Sequence, residues 1–231
     1  FEYKQDNQWT PPGGEEVRFW LRLDTGYTVE QPWVLDVEKA SARYIAVLDA
    51  DDQYASNKLK KLSEALEEHP LVTTGLDVRT HDNKHLRFVG CTGGNRVLPA
   101  GAYKFTNISM DSMVAHDRQK LPIQYDVDLP CLVDLGLMLD AFCHVPSSFH
   151  IAEPLHFYFK QSQSISIGPE ASSRYSRIKK LLLERLTSNY YPLMGGHEAI
   201  IGIADFLKQS LATYHTEKKK DDVRMEMEMA I

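Results

Sequence analysis

The chain has 231 residues, 43% of them hydrophobic and 25% charged, enough apolar material for a sizeable core. Its net charge of −6 and its pI near 5.8 argue against a nucleic-acid partner, and no basic stripe stands out along the first two hundred residues. Three widely spaced cysteines without a CxxC pair argue against a disulfide framework or a zinc site, and the default setting they suggest is a reducing, cytoplasmic one.

No apolar run reaches the roughly 20 residues needed to span a membrane. The chain begins at Phe1, so nothing is read from where it starts. Length suggests one domain of about 150–200 residues with an appendage. The boundary is placed at the polar stretch around Ser162–Ser166, giving a main unit over 1–166 and a helical extension over 167–231.

In chain order, Pro11-Pro12-Gly13-Gly14 reads as a loop and the aromatic-rich Val17–Leu23 as a strand. Trp33–Arg43 reads as a helix. Tyr44–Leu48 is a short continuous apolar run, as in a strand buried on both faces. It stops at Asp49-Ala50-Asp51-Asp52. A helix follows, with Ser56 as N-cap, leucines at 59, 62 and 66, and Pro70 as its stop.

Leu71–Thr80 and His85–Cys91 read as two strands of a hairpin turning at His81–Lys84. Another turn follows at Thr92–Asn95, and a strand is expected within 106–116. Leu132–Phe142 has helical spacing, although Gly136 costs such a helix about 1 kcal/mol relative to Ala. Phe149–Lys160 is apolar and aromatic, interrupted by Pro154. Two helices are expected over 171–188 and 198–215, and the charge run Glu217–Asp222 reads as a solvated helix end. Strand, helix, strand, helix, strand, strand is the order of an α/β sandwich with an antiparallel portion.

The acidic triplet carries the chemistry. Ligands bind beyond the C-terminal ends of strands in open α/β sheets. If extended geometry persists, Asp49 and Asp51 point the same way. Carboxylates so close repel each other in a low-dielectric site, and a divalent cation relieves that cost. All-oxygen ligands suit Mg²⁺ or Mn²⁺, and such an ion serves chemistry on a diphosphate. The competing reading is a helix-entry loop in which some of these aspartates cap the next helix.

Lys39–Asp52 resembles the "A-R-G-x-Y-I-A-F-L-D-A-D-D" segment of family 2 glycosyltransferases. The helix opening at Lys58-Leu59 and ending His69-Pro70-Leu71-Val72 is similar to that family's next helix, and Val78–Lys84 to its hairpin turn. Ile151–Lys160 resembles its "I-P-E-P-L-x-x-Y-R", and Ser164-Ile165-Ser166 its "S-I-S". Asp134–Leu139 looks like the later part of its "E-D-x-D-L-x-L-R-L" helix, with the leading acidic pair replaced by Cys131-Leu132. The family's opening strands, "V-S-V-I-I-P-x-Y-N" and the one ending "V-D-D-G-S", have no counterpart here.

The resemblance implies an α/β, GT-A-like mixed sheet flanked by helices, with a C-terminal helical appendage and without the family's N-terminal strands. It implies an inverting, metal-dependent transferase using Mn²⁺ or Mg²⁺. The donor would be a nucleotide sugar, a UDP-sugar being favoured. The acceptor would be a saccharide or a lipid-linked one, in polysaccharide or glycoconjugate synthesis.

By this resemblance Asp49 and Asp51 contact the donor and Asp51 is the main metal ligand, with Asp52 supporting it. Asp134, or failing it Asp128, deprotonates the acceptor hydroxyl. His156 is a further metal ligand or, on the bland reading, a packed core histidine. Asp134 is alternatively an exposed helical carboxylate, and Asp126 and Asp128 are alternatively solvated turn residues.

Two other classes are weighed. A haloacid-dehalogenase-type phosphatase also begins with a strand ending in DxD, but here Asp52-Gln53-Tyr54 follows instead of the small and β-branched residues it wants. A catalytically degenerate glycosyltransferase-like domain, acting as a binding or assembly module, is the non-enzyme reading. The apolar face of Ile200, Ile201, Ile203, Phe206, Leu207 and Leu211 reads either as docking onto the domain or a subunit, or as peripheral membrane contact.

Overall fold

The computed structural model describes residues 42–49, 52–102, 113–160 and 171–229, with side chains of the last helix described through 212. The expected strand at Val17–Leu23, the expected helix at Trp33–Arg43, and Asp51 itself lie outside the described residues.

The strands are β1 (Tyr44–Ala46), β2 (Gln53–Tyr54), β3 (Leu71–Thr80), β4 (His85–Val89), β5 (Arg96–Pro99), β6 (Val114–Asp117) and β7 (Ser147–Lys160). The helices are α1 (Lys58–Glu68), α2 (Val133–His144), α3 (Ala171–Thr187) and α4 (Gly196–Met229), with a 3₁₀ turn at Ala100–Ala102. The strands form one mixed sheet in the order β1-β6-β3-β7-β2, with β4 on β3 and β5 on β7. Among the described residues only β3 and β7 pair in parallel. β1 and β2 stand at opposite ends of the strand path, yet the Tyr54 hydroxyl donates to the Val47 carbonyl. The sheet therefore curls, as in a GT-A-like fold.

Helices cover both faces. The larger core lies between the sheet and α2, α3 and α4, with Leu76, Leu139, Phe142, Leu182 and Leu207 among its buried members. The smaller core gathers Leu62 and Leu66 of α1 with Val72, Ala115, Ile151 and Leu155. Each such aliphatic side chain contributes about 1.5–3 kcal/mol by leaving water.

Most expected elements form, with instructive differences. Tyr44–Leu48 yields only three strand residues, and just Ile45 is buried, because among the described residues β1 pairs with β6 alone. Helix α1 is entered through Asn57, which makes no side-chain cap bond, rather than through Ser56. Strand β5 was not expected; it follows the turn at Thr92–Asn95 and pairs with β7. Of the strand expected over 106–116, residues 106–112 lie outside the described residues, and Val114–Asp117 forms β6. Helix α4 runs past the charge run to Met229, well beyond the expected end at 215. Its Ala199, Ile203 and Leu207 are buried in the larger core, while Ile201 is exposed. No described helix is long and apolar enough to cross a membrane.

Pro154 does not end its strand, because it sits in a bulge. Where β3 has Gly75 alone between Thr74 and Leu76, β7 has Ala152 to Leu155 between Ile151 and His156. A proline lacks the ladder N–H and is tolerated at such a bulge. The bulge also switches the phase of β3: Val72 faces the smaller core, whereas Leu76 and Val78 face the larger one. Gly75 makes this possible, since a Cβ there would lie 2.7 Å from the Glu153 carbonyl oxygen and 2.5 Å from the Cys91 sulfur. Gly136 has a similar cause: a Cβ would lie 2.5 Å from Leu129 Cδ1, so the loop before α2 closes onto the helix only over a glycine.

Gly75→Ala is expected to destabilise the fold by about 2 kcal/mol through overpacking. A urea midpoint equal to the wild-type value would show that the bulge has room to spare.

His116 of β6 is buried, and burial pushes its imidazole down from 6.5 to about 4, with Arg118 adding to the shift and Asp117 opposing it. The unfolded chain therefore takes up this proton first as pH falls. Above pH 6.5 His116 is neutral in both states and contributes no pH dependence. From 6.5 down to about 4 stability is lost, at up to about 1.4 kcal/mol per pH unit. A His116→Leu variant is expected to show a shallower loss than wild type between pH 6.5 and 4.5, read from urea unfolding at each pH.

Candidate active site

The segment after β1 turns on a buried carboxylate. Asp52 N–H donates to the Asp49 carbonyl at 3.1 Å, which closes a tight turn. The Asp52 side chain is 1% exposed. Its Oδ1 accepts from the Phe159 backbone N–H at 3.0 Å, and its Oδ2 lies 2.8 Å from His156 Nε2. Both partners belong to β7. The acidic turn is thereby fastened to the strand on which β2 lies, with Gln53 opposite Phe157 and Tyr54 opposite His156.

Two further side chains complete this cluster. Lys58 opens α1, is 1% exposed, and holds its Nζ 3.9 Å above the Tyr54 ring. Such a contact is attractive because the ring face is electron-rich. Burial lowers the Lys58 ammonium well below its ordinary value, and the charge of Asp52 opposes that shift. The Tyr54 hydroxyl is raised, first by burial and then by the charges of Asp49 and Asp52. Tyr54 also meets the His156 ring edge-on at 5.8 Å. Asp49 is exposed at the mouth of the turn.

The candidate bases stand on another part of the chain. Asp134 is half-buried in the first turn of α2, where the helix N-terminus favours a negative charge. It follows Leu132, which takes a left-handed conformation at the helix cap with φ 56°. The charges of Arg174 and Arg177 on α3 reach the same corner, since both act, with Asp134, on the Cys131 thiol that burial mainly raises. Asp128 is 75% exposed, with Arg185 Nη2 3.8 Å away. Asp126 binds Arg185 Nη1 directly and accepts from the Asp128 N–H at 2.9 Å. The loop holding Asp126 and Asp128 folds back on α2, as the approach of Leu129 to Gly136 shows.

Of the residues singled out in the sequence, Asp52 and His156 are brought into contact, 104 positions apart. Asp49 lies at the same turn. Asp134 and Asp128 share the corner formed by the loop before α2. Among the described residues no group of three or more His, Cys, Asp and Glu side chains is arranged to hold a metal ion. The donor set nevertheless has the right chemistry for a hard cation: Asp49 stands exposed at the turn, and Asp51, outside the described residues, is the third carboxylate in the sequence.

Sequence reasoning missed Tyr54 and Lys58. Their only signal was an aromatic and a lysine just after an acidic triplet, which reads equally well as a solvated loop and helix start.

A curled mixed sheet with helices on both faces is a GT-A-like arrangement. Residues 36–116, just over a third of the chain, match the model of glycosyl transferase family 2. Among solved structures it is similar to S. aureus TarS 1-349 in complex with UDP-GlcNAc, with a TM-score of 0.59 at 10% identity, covering 81% of this chain and 53% of that one. The same fragment in complex with UDP gives 0.58 at 11%, covering 79% and 51%. S. aureus TarS itself gives 0.55 at 10%, covering 80% and 31%. The chain thus spans about half the length of the TarS 1-349 fragment, and at this identity the likeness is one of fold. No curated protein sequence matches the chain.

Asp52→Ala is expected to cost about 3–5 kcal/mol, because it leaves the His156 ring and the Phe159 N–H buried without their acceptor. Asp52→Asn keeps one acceptor and is expected to cost less. Unfolding of the alanine variant at the wild-type urea concentration would show that the turn is not held by this carboxylate.

Proposed function

We propose that this chain carries an inverting, metal-dependent glycosyltransferase that moves a sugar from a nucleotide-diphosphate donor to an acceptor hydroxyl. The observation that carries the reading is the acidic turn Asp49–Asp52, which follows β1 inside the family-matched segment and is fastened to β7 through Asp52. The UDP and UDP-GlcNAc named for TarS favour a UDP-sugar donor. A saccharide or lipid-linked acceptor fits the family, and so does a role in polysaccharide or glycoconjugate synthesis. The setting we propose is cytoplasmic, with peripheral membrane contact through the exposed side of α4. Residues 1–166 would form the catalytic unit and 167–231 its helical extension.

The roles divide by position. Asp49 and Asp51 would hold Mn²⁺ or Mg²⁺, which when bound neutralises charge on the departing diphosphate. Asp52 and His156 serve each other, so we assign them to fixing the turn. Tyr54 and Lys58 fill the space beneath it and keep water out. Asp134 is the favoured acceptor base: it is half-buried in the first turn of α2, whereas Asp128 is 75% exposed.

A second reading, a degenerate domain that binds without turning over, is favoured by one observation. The acidic pair expected ahead of Asp134 is replaced by Cys131 and by Leu132, which adopts a left-handed backbone.

Mn²⁺-dependent UDP binding, followed by calorimetry, and UDP release from UDP-sugars separate the two. Asp51→Ala is expected to abolish the metal-dependent binding while circular dichroism stays native. Asp134→Asn is expected to bind UDP normally and lose about 10²–10⁴-fold in kcat. Binding without turnover in the wild-type chain supports the degenerate domain. Absence of both defeats the enzyme reading.

A further inference from the structure

One row of the sheet leads away from the acidic turn to an exposed edge. Gln53 pairs with Phe157, Phe157 with Asp77, and Asp77 with Phe88, so these four side chains lie side by side on one face of β2, β7, β3 and β4. Gln53 directly follows Asp52. Three inter-strand steps make the row about 14 Å long.

The row is continuous in its contacts as well as in its register. The Arg79 guanidinium lies 4.0 Å over the Phe157 ring. Its Nε and Nη2 both donate to Asp77 Oδ2 at 2.8 Å. The other oxygen of Asp77 is bound by His85 Nδ1. The His85 ring in turn lies 4.3 Å from that of Phe88. Exposure rises along this path. The Asp77 side chain is 4% exposed, Arg79 23%, His85 47%, and Phe88 56%.

The chemistry of the row selects its occupant. A protein interface core is depleted in acidic residues, whereas here a buried carboxylate sits between the aromatic rings. The chain is acidic overall, which disfavours a nucleic-acid strand. A sugar ring suits the alternation: it has a C–H face that lies flat on an aromatic ring and a rim of hydroxyls that exchange hydrogen bonds with charged and imidazole groups. With Nδ1 turned to Asp77, Nε2 is the His85 ring atom placed to exchange a hydrogen bond with such a hydroxyl. The buried Asp77 holds both Arg79 and His85 in place before any sugar arrives, which lowers the ordering cost of binding.

Resting on the glycosyltransferase reading of the acidic turn, we propose that the strip Phe157–Arg79–Asp77–His85–Phe88 is a saccharide platform that seats the acceptor chain. Phe88 is its outer stacking ring. The acceptor for this site is therefore an oligosaccharide, extending along the β3–β4 hairpin away from the donor.

The test uses the full chain and three probes: chitotriose, cellotriose and maltotriose, each titrated by calorimetry and by saturation-transfer NMR. Binding of at least one is expected. Phe88→Ala should weaken it at least about tenfold, equal to 1.4 kcal/mol, and Phe88→Trp should retain it. Mn²⁺-dependent UDP binding should be the same in all three proteins. The proposal is overturned if none of the trisaccharides binds the wild-type chain or if Phe88→Ala binds as well as wild type. It is also overturned if the alanine change converts a dimer to a monomer in sedimentation, which would make the strip a contact between copies. Failure of UDP binding with saccharide binding intact would instead defeat the donor reading and leave the platform standing.

Discussion

A carboxylate shut away from water is stable only with partners of its own, and Asp52 has them on a single strand. Phe159 N–H and His156 Nε2 address its two oxygens, and both come from β7. The isolated charge would cost several kcal/mol in such surroundings. The turn after β1 therefore has one place to go, against β7, and this is what closes the curl of the sheet. The short strand β2, the burial of Tyr54 and the inward direction of Lys58 all follow from that closure. Asp49, at the mouth of the same turn, stays exposed.

The bulge opposite Gly75 is the second constraint, and it serves the first. It places His156 and Phe159 in register with β2, while Ile151 and Phe149 keep their places against α1 and β5. The extra residues of β7 are tied down on all sides. Ala152 N–H donates to Asn95 Oδ1 at 2.9 Å, Glu153 pairs with Lys61 of α1, and the Leu155 carbonyl accepts from Ala55 N–H at 2.9 Å. The bulge divides the sheet into a half whose β3 residue Val72 packs under α1 and a half whose β3 residues Leu76 and Val78 pack in the larger core.

The fold was largely legible in the sequence wherever one periodicity ran unbroken. Leu71–Thr80 was read to the residue because a stretch rich in Val, Leu and Thr runs from Pro70 to a turn signal, and α1 because its leucines repeat every three and four residues. The readings went astray where a long-range contact overrode the local pattern. Tyr44–Leu48 looked like a central strand because its composition reports burial but not which neighbour supplies it. Pro154 looked like an interruption because a proline advertises the missing N–H and not the bulge that makes it harmless. β5 has too few residues to show a period at all. Of the site, the acidic turn was visible as a motif. The pairing of Asp52 with His156 was not, since nothing in sequence spacing joins residues 104 positions apart.

The same separation sets two places in the fold apart. Asp52 is anchored within the sheet, whereas the corner with Asp134 depends on Leu129 settling over Gly136 and on Arg185 holding Asp126. One is thus built into the sheet and the other into loops and helices laid against it. Arg185 and Tyr191, on and just after α3, are coupled to Asp126, so the helices beyond residue 167 reach directly into that corner. The helical extension is then more than an appendage: it supports the loop that carries Asp126 and Asp128 and leads into α2. A rearrangement of α3 would disturb that loop before it disturbed the anchoring of Asp52.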